Sequence, residues 1–208
     1  MESNVICQGF LEQETCDILE KHFDLQKELG RCTYGDVNKI PQGKSFDLYG
    51  DSFCEAIGVH KTAYINKLLE LNLSLTYGLM REYERGAVLK WHRDRWQCEY
   101  SVTIQISKGA WPIHFADPYI GGRWEPSSSV ILQRGDAVFY KGYETFHGRD
   151  ALKHETSRHL FLHYVEKNSP LDNKDSRPNY GMLPVQNKLR SVKRKGNEAA
   201  AYNKNTQR

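Results

Sequence analysis

The sequence predicts an α+β domain that is mainly β: a double-stranded β-helix, or jelly roll, supported by N-terminal helices. Three observations predict it. Short alternating apolar runs, roughly seven or eight of them, fill the stretch from Leu73 to Glu166 and are set apart by Gly, Pro, Ser and Asp. Two segments with helical apolar spacing precede them. A chain of 208 residues, 39% of them hydrophobic, is long enough to bury one sizeable core. The expected division is residues 1–72 as a packing layer of strand, helices and loop, 73–167 as the jelly-roll core, and 168–208 as a C-terminal extension.

Val5 to Phe10 reads as a short strand. Glu12 and Glu14 then sit where a helix N-terminus favours acids, and Cys16, Leu19 and Phe23 at i, i+3 and i+7 give that helix a packing face. From Gly30 to Gly50 the pattern dissolves into Gly, Asn, Pro, Lys and aromatics, a longer stretch than a tight turn requires. Two readings stay open for it, a mobile lid or an ordinary connection holding a short strand or two. Ser52 to Leu71 carries Phe53, Ile57, Tyr64, Ile65, Leu68 and Leu69 in helical spacing, with a break expected near Gly58. It belongs to the layer behind the sheet.

The β half opens at Leu73, where Leu73, Leu75, Tyr77 and Leu79 alternate with smaller or polar residues in a strand that continues to Glu84. Gly86 marks a turn. Val88 to Asp94 returns with Val88, Lys90, His92 and Asp94 on one face and Leu89, Trp91 and Arg93 on the other. Val102, Ile104 and Ile106 alternate with Thr103, Gln105 and Ser107, which suits a sheet with one apolar side and one polar pocket. Ile113-His-Phe115, Val130-Ile-Leu132, Ala137 to Tyr140 and Arg158 to Val165 complete the set, the loops between them rich in Pro, Gly and aromatics.

Five cysteines with no C-x-x-C pair, no apolar run after Met1 and no stretch near the roughly 18 apolar residues of a membrane span predict a soluble, reduced, cytoplasmic protein without membrane contact. The overall charge of +3 is uneven: Gln186 to Arg208 holds seven Lys or Arg against one Glu, a net +6, which leaves the rest at −3. Such a tail, its basic residues interspersed with Asn, Gln and one Gly, reads as a disordered arm. It is either a solvated solubility element or a weak, nonspecific contact for nucleic-acid phosphates.

Chemistry concentrates in His92-Arg-Asp94. Residues i and i+2 of a strand share a face, so one imidazole and one carboxylate can converge in front of the sheet. With 8 His and 11 Asp in the chain, about 0.4 such pairs arise by chance, so the motif needs context. A second imidazole from a distant strand, His147, would complete three ligands on one face of an octahedron and leave the other face open. His114, His154, His159 and His163 are rival histidines. His159 and His163 share the face opposite Arg158 and read as structural or surface residues.

The context is Tyr83-x-x-Gly86-x-x-Leu89-x-x-His92-x-Asp94, the strand Ser101 to Ile106, Gly135-Asp136 before an apolar strand and His147, then Arg158 opening Leu160 to Tyr164. This resembles the iron(II)- and 2-oxoglutarate-dependent dioxygenases, most of all the prolyl 4-hydroxylase-like branch. The likeness covers Leu73 to Glu166 with specific motifs, and Val5 to Phe23 more loosely. It implies an enzyme whose metal ligands are His92, Asp94 and His147, using iron(II), 2-oxoglutarate and O2, with ascorbate as an accessory reductant. Such enzymes decarboxylate 2-oxoglutarate to succinate as they hydroxylate a C–H bond, and the carboxylate at Asp94 favours hydroxylation over halogenation.

The same likeness implies that Arg158, 11 positions after His147, pairs with the far carboxylate of 2-oxoglutarate, for which a planar guanidinium suits better than an ammonium. Arg149 and Lys153 lie closer but fall in the expected connecting loop. Tyr83 matches a position near the cosubstrate, and serves equally as a core tyrosine. Thr103 and Gln105 stand in for a tyrosine that some relatives carry on that strand. The branch points to peptidyl proline as substrate, with Arg95, Trp96, Trp111 and the Gly30 to Gly50 loop near the mouth. Free amino acids or other small molecules are alternatives, as is a nucleic-acid oxygenase, although Tyr164 occupies the place of the second arginine usual in repair enzymes. A noncatalytic cupin-like binding module is the alternative of a different class. The sequence specifies no oligomeric state.

Overall fold

Among the described residues, eleven strands form two antiparallel sheets, with two helices against the larger one. The computed structural model describes residues 4–35, 45–116 and 126–168, all within the unit Met1–Asp175. In chain order the elements are β1 (Val5–Cys7), α1 (Gln13–Glu28), β2 (Thr33–Tyr34), β3 (Ser45–Tyr49), α2 (Ser52–Leu69), β4 (Leu73–Glu84), β5 (Leu89–His92), β6 (Tyr100–Gln105), β7 (Ile113–Ala116), β8 (Ser128–Val130), β9 (Ala137–Tyr140), β10 (Phe146–Arg149) and β11 (Thr156–Glu166). The large sheet runs β1-β9-β6-β11-β4-β3-β2 and the small one β5-β10-β7-β8. This is the jelly roll the alternating runs predict. Among the described residues no helix is long and apolar enough to cross a membrane.

The helices bury the back of the large sheet. Cys16, Leu19 and Phe23 of α1 are fully buried, as their spacing predicts, and each large apolar side chain so buried contributes roughly 1.5–3 kcal/mol. Asp51 caps α2, its Oδ1 accepting from the Phe53 and Cys54 amides at 3.0 and 3.2 Å. The break expected at Gly58 does not occur, and α2 is continuous through it. Gly58 instead lets the helix approach the sheet: a Cβ there would lie 2.7 Å from Leu75 Cδ1, and its carbonyl accepts from the Tyr164 hydroxyl at 2.8 Å.

Two irregularities in the ladders change which side chains face inward. At the β4–β11 pairing the register shifts between His163 and Tyr164, where Tyr164 pairs with Leu75 and His163 with Tyr77. The intervening Thr76 is the extra residue, its hydroxyl donating to the carbonyls of Gln97 and His163. Leu73 and Leu75 therefore pack with the helices, while Tyr77, Leu79 and Tyr83 pack between the sheets, not all on one face as simple alternation implies. A second shift separates the β10–β5 pairs His147–His92 and Arg149–Leu89. Leu89 is consequently buried and Lys90 exposed, the reverse of the expected pattern for that strand.

Other boundaries differ modestly. The run at Val130 to Leu132 forms β8 two residues earlier, and Arg149, expected in a connecting loop, is the last residue of the strand that carries His147. The ends of the Gly30 to Gly50 stretch pair as β2 and β3, Thr33 opposite Asp47. Its middle, 36–44, where a lid was one reading, lies outside the described residues, as does the basic tail.

Candidate metal centre

His92, at the end of β5, and His147, on β10, are direct partners across the small sheet, which brings their ring centroids within 4.3 Å. Asp94 follows just beyond β5, its amide donating to the Gly142 carbonyl at 2.8 Å. Its Oδ1 lies 3.5 Å from His92 Nε2 and 3.7 Å from His147 Nε2. The three ligand atoms thus converge within 4.8 Å, as a mononuclear site requires.

The supporting contacts point the right atoms inward. His92 Nδ1 donates to the Lys90 carbonyl at 2.8 Å and His147 Nδ1 to the Thr145 carbonyl at 3.0 Å. A carbonyl only accepts, so each Nδ1 carries the proton and each Nε2 keeps its lone pair for a metal. The Ser101 hydroxyl donates to Asp94 Oδ2 at 2.8 Å and leaves Oδ1 for the centre. Burial by itself would raise the Asp94 carboxyl, but the adjacent His147 and His92 outweigh it and hold it well below the usual carboxylate range. Burial pushes His147 down to about 4 against the pull of Asp94. An ionised carboxylate beside neutral imidazoles is the donor set that a divalent cation takes.

A cavity of about 300 Å³ opens on the triad. Tyr49, Tyr77, Leu79, Arg81, Tyr83, Phe161 and His163 of the large sheet line one wall, and Leu89, His92, Ile113 and His147 of the small sheet the other, with Arg93, Asp94, Arg95 and Tyr140 completing it. A second group, Asp94, Cys98 and His163, could also gather a cation. It shares Asp94, and Ser101 stands between that carboxylate and His163, 2.8 and 2.9 Å from each. His163 is buried and therefore belongs to the surroundings of the first centre, the structural one of the two roles its spacing allows. The inward-pointing polar series Ser101, Thr103, Gln105 was the signal that could have found its partner.

The remaining candidates divide sharply. Tyr83 and Arg95 line the cavity, and Arg95 donates to the Tyr49 hydroxyl. Trp96, in a single 3-10 turn, is not part of the lining. Trp111 is buried, not at the mouth: its indole N–H donates to the Asp150 carbonyl at 2.8 Å and its ring packs edge-on against Tyr83 at 4.8 Å. Thr103 and Gln105 are buried behind the cavity wall. Thr103 meets the Tyr140 hydroxyl at 3.2 Å, and Tyr140 fills the space between it and His147.

Arg158 is the chief correction. Its side chain points to the helix side of β11, the same side as Leu160 and Leu162, where it donates to Glu82 Oε2 at 2.5 Å, Asp24 Oδ1 at 2.6 Å and the Glu20 carbonyl at 3.2 Å. Alternation along the strand gives the intersheet face to Ser157, His159, Phe161 and His163 instead. Toward that face lie four of the six buried polar atoms that have no hydrogen-bond partner among the described residues: Arg149 Nε and Nη2, Tyr83 Oη and His159 Nδ1. Burial, with no acid beside it, lowers the Arg149 guanidinium to about 10. The i, i+2 spacing marks this arginine once the strand that carries His147 is extended to Arg149, since Arg149 is to His147 as Asp94 is to His92.

No family model and no curated protein matches the sequence. Solved structures do match the fold. The non-heme alpha-ketoglutarate-dependent epimerase SnoN of nogalamycin biosynthesis is 12% identical over 83% of this chain and 85% of its own, with a TM-score of 0.64. HygX from Streptomyces hygroscopicus, solved with nickel and 2-oxoglutarate, is 12% identical over 79% and 83%, and a prolyl-4-hydroxylase of Pseudomonas putida is 13% identical over 79% and 92%, both at a TM-score of 0.59. The chain has the jelly-roll fold of the 2-oxoglutarate-dependent iron(II) oxygenases.

Proposed function

We propose that this protein is an iron(II)- and 2-oxoglutarate-dependent dioxygenase that hydroxylates a C–H bond, with peptidyl proline as the substrate class to test first. The observation that carries the reading is the convergence of His92 Nε2, Asp94 Oδ1 and His147 Nε2 at the wall of a cavity, with both Nδ1 protons committed to backbone carbonyls. When bound there, iron(II) with 2-oxoglutarate supplies the oxidising chemistry that turns O2 into a hydroxylating agent, releasing succinate and carbon dioxide.

The chain's own contribution is positioning. His92, Asp94 and His147 would hold the metal on one side only, and Ser101 keeps the Asp94 carboxylate from rotating. Phe161, Leu79, Leu89 and Ile113 exclude water from the cavity interior, and Tyr49 stacks on Tyr77 at 4.8 Å to form an aromatic shelf in its lining. A flat shelf of this kind suits the ring of a prolyl residue, and prolyl hydroxylases are among the solved structures sharing the fold.

The test is anaerobic addition of iron(II) and 2-oxoglutarate, read as a weak visible charge-transfer band. His92→Ala and His147→Ala are expected to abolish the band, and succinate release with peptide, amino-acid and metabolite mixtures, followed by mass spectrometry for a gain of one oxygen, identifies the substrate. A band that survives both substitutions would place the ligands elsewhere.

A further inference from the structure

Arg149 is 3% exposed, lies two residues beyond His147 on β10 and points to the same side of that strand. Its Nη1 donates to the Trp111 carbonyl, and its guanidinium carbon stands 4.9 Å from the centre of the Trp111 ring. Nε and Nη2 meet no partner, and no carboxylate among the described residues forms an ion pair with it. A buried, uncompensated charge is among the costliest features a fold can carry. A site waiting for an anion is the arrangement that repays the cost.

The neighbours complete that site. Tyr83 and Trp111 rings are 4.8 Å apart, Tyr83 and His159 5.7 Å, Trp111 and His159 5.9 Å, so Tyr83, His159 and the guanidinium that stands against Trp111 form one buried cluster. Gln105 Nε2 donates to Ser157 Oγ at 3.5 Å, which leaves the Ser157 hydroxyl to donate to His159 Nε2 at 3.0 Å. The remaining proton of the neutral ring then sits on Nδ1 and faces the site as a donor. Tyr83 also lines the cavity of the triad, which connects the two.

We infer that Arg149, flanked by Tyr83 and His159, is the receptor for the distal carboxylate of a dicarboxylic keto acid whose keto-acid end lies at the triad. This rests on the function proposed above and moves the anchor from Arg158, already saturated by Asp24 and Glu82, to the strand that carries His147. The free guanidinium edge offers the two parallel N–H groups that a carboxylate accepts in bidentate fashion.

The test compares two keto acids on the anaerobic iron(II) protein, read by the charge-transfer band and by folded-state circular dichroism. 2-Oxoglutarate carries the distal carboxylate, and 2-oxobutanoate has the same head without it. The wild type is expected to bind 2-oxoglutarate about 100-fold more tightly, and Arg149→Met to lose most of that preference while its affinity for 2-oxobutanoate changes less than about threefold. Arg158→Met is expected to keep the preference. Equal affinity of the wild type for the two acids overturns the proposal whatever the variants do, as does an Arg149→Met protein that still prefers 2-oxoglutarate or weakens both acids alike. A wild type that shows no band with either acid overturns the underlying reading instead.

Discussion

Ser101 Oγ sits 2.8 Å from Asp94 Oδ2 and 2.9 Å from His163 Nδ1, so one hydroxyl ties the carboxylate of the proposed metal centre to a strand of the opposite sheet. The triad residues come from the small sheet and its margin, and Ser101 and His163 from β6 and β11 of the large one. The centre is therefore held by both halves of the jelly roll.

Removing that tie should loosen the ligand without dissolving the fold. Ser101→Ala is expected to lower affinity for iron(II), or for cobalt(II) as a spectroscopic substitute, by roughly 10- to 100-fold, the usual effect of losing an outer partner of a metal ligand. Competition titration against a chelator measures it. Unchanged affinity would show that Asp94 orients itself.

Gly142 should tolerate no side chain. A Cβ there would lie 2.2 Å from Ser101 Oγ, 2.5 Å from Asp94 Oδ2 and 2.8 Å from the Cys98 carbonyl, so something must move. Gly142→Ala is expected to cost about 1–3 kcal/mol by denaturant unfolding and to weaken metal binding as well. A substitution neutral in both measurements would refute the close approach.

Arg158 ties β11 to α1 and β4, and a variant should reveal that as stability. Replacing it by Met leaves Glu82, only 3% exposed in its side chain, facing Lys27 alone. Loss of roughly 2–4 kcal/mol is expected, below the full cost of breaking a buried pair because Asp24 is partly solvated. Urea unfolding checks this, and a loss under about 0.5 kcal/mol would contradict it.

His159 should make the metal-free protein sensitive to acid. Burial, then the charges of Arg149 and Arg81, hold its folded-state pKa well below the ordinary 6.5. The unfolded chain therefore binds a proton in mild acid that the folded chain refuses. Stability is fully present above pH 6.5 and falls as the pH drops below it, by up to about 1.4 kcal/mol per pH unit from this group. Urea unfolding at pH 7.5 and 5.5 should show a smaller loss for His159→Gln than for the wild type. Equal losses would mean that the ring is protonated in the folded state.

Read alone, the sequence determined what short-range periodicity can carry: the packing face of α1 through Cys16, Leu19 and Phe23, the β half from Leu73, and the pairing of His92 with Asp94 by an i, i+2 spacing. It also singled out His147, because the apolar strand Ala137 to Tyr140 precedes it and Arg158 follows. What only the tertiary structure decided were the faces. The extra residue at Thr76 sends Leu75 and Tyr77 to different cores, the shift beside Trp91 reverses Leu89 and Lys90, and the β register turns Arg158 toward α1 while Arg149 turns inward. The physical reason is that a strand has a period of two, so a single-residue bulge or a slip of one position exchanges the two faces, and nothing local in the sequence marks where that happens.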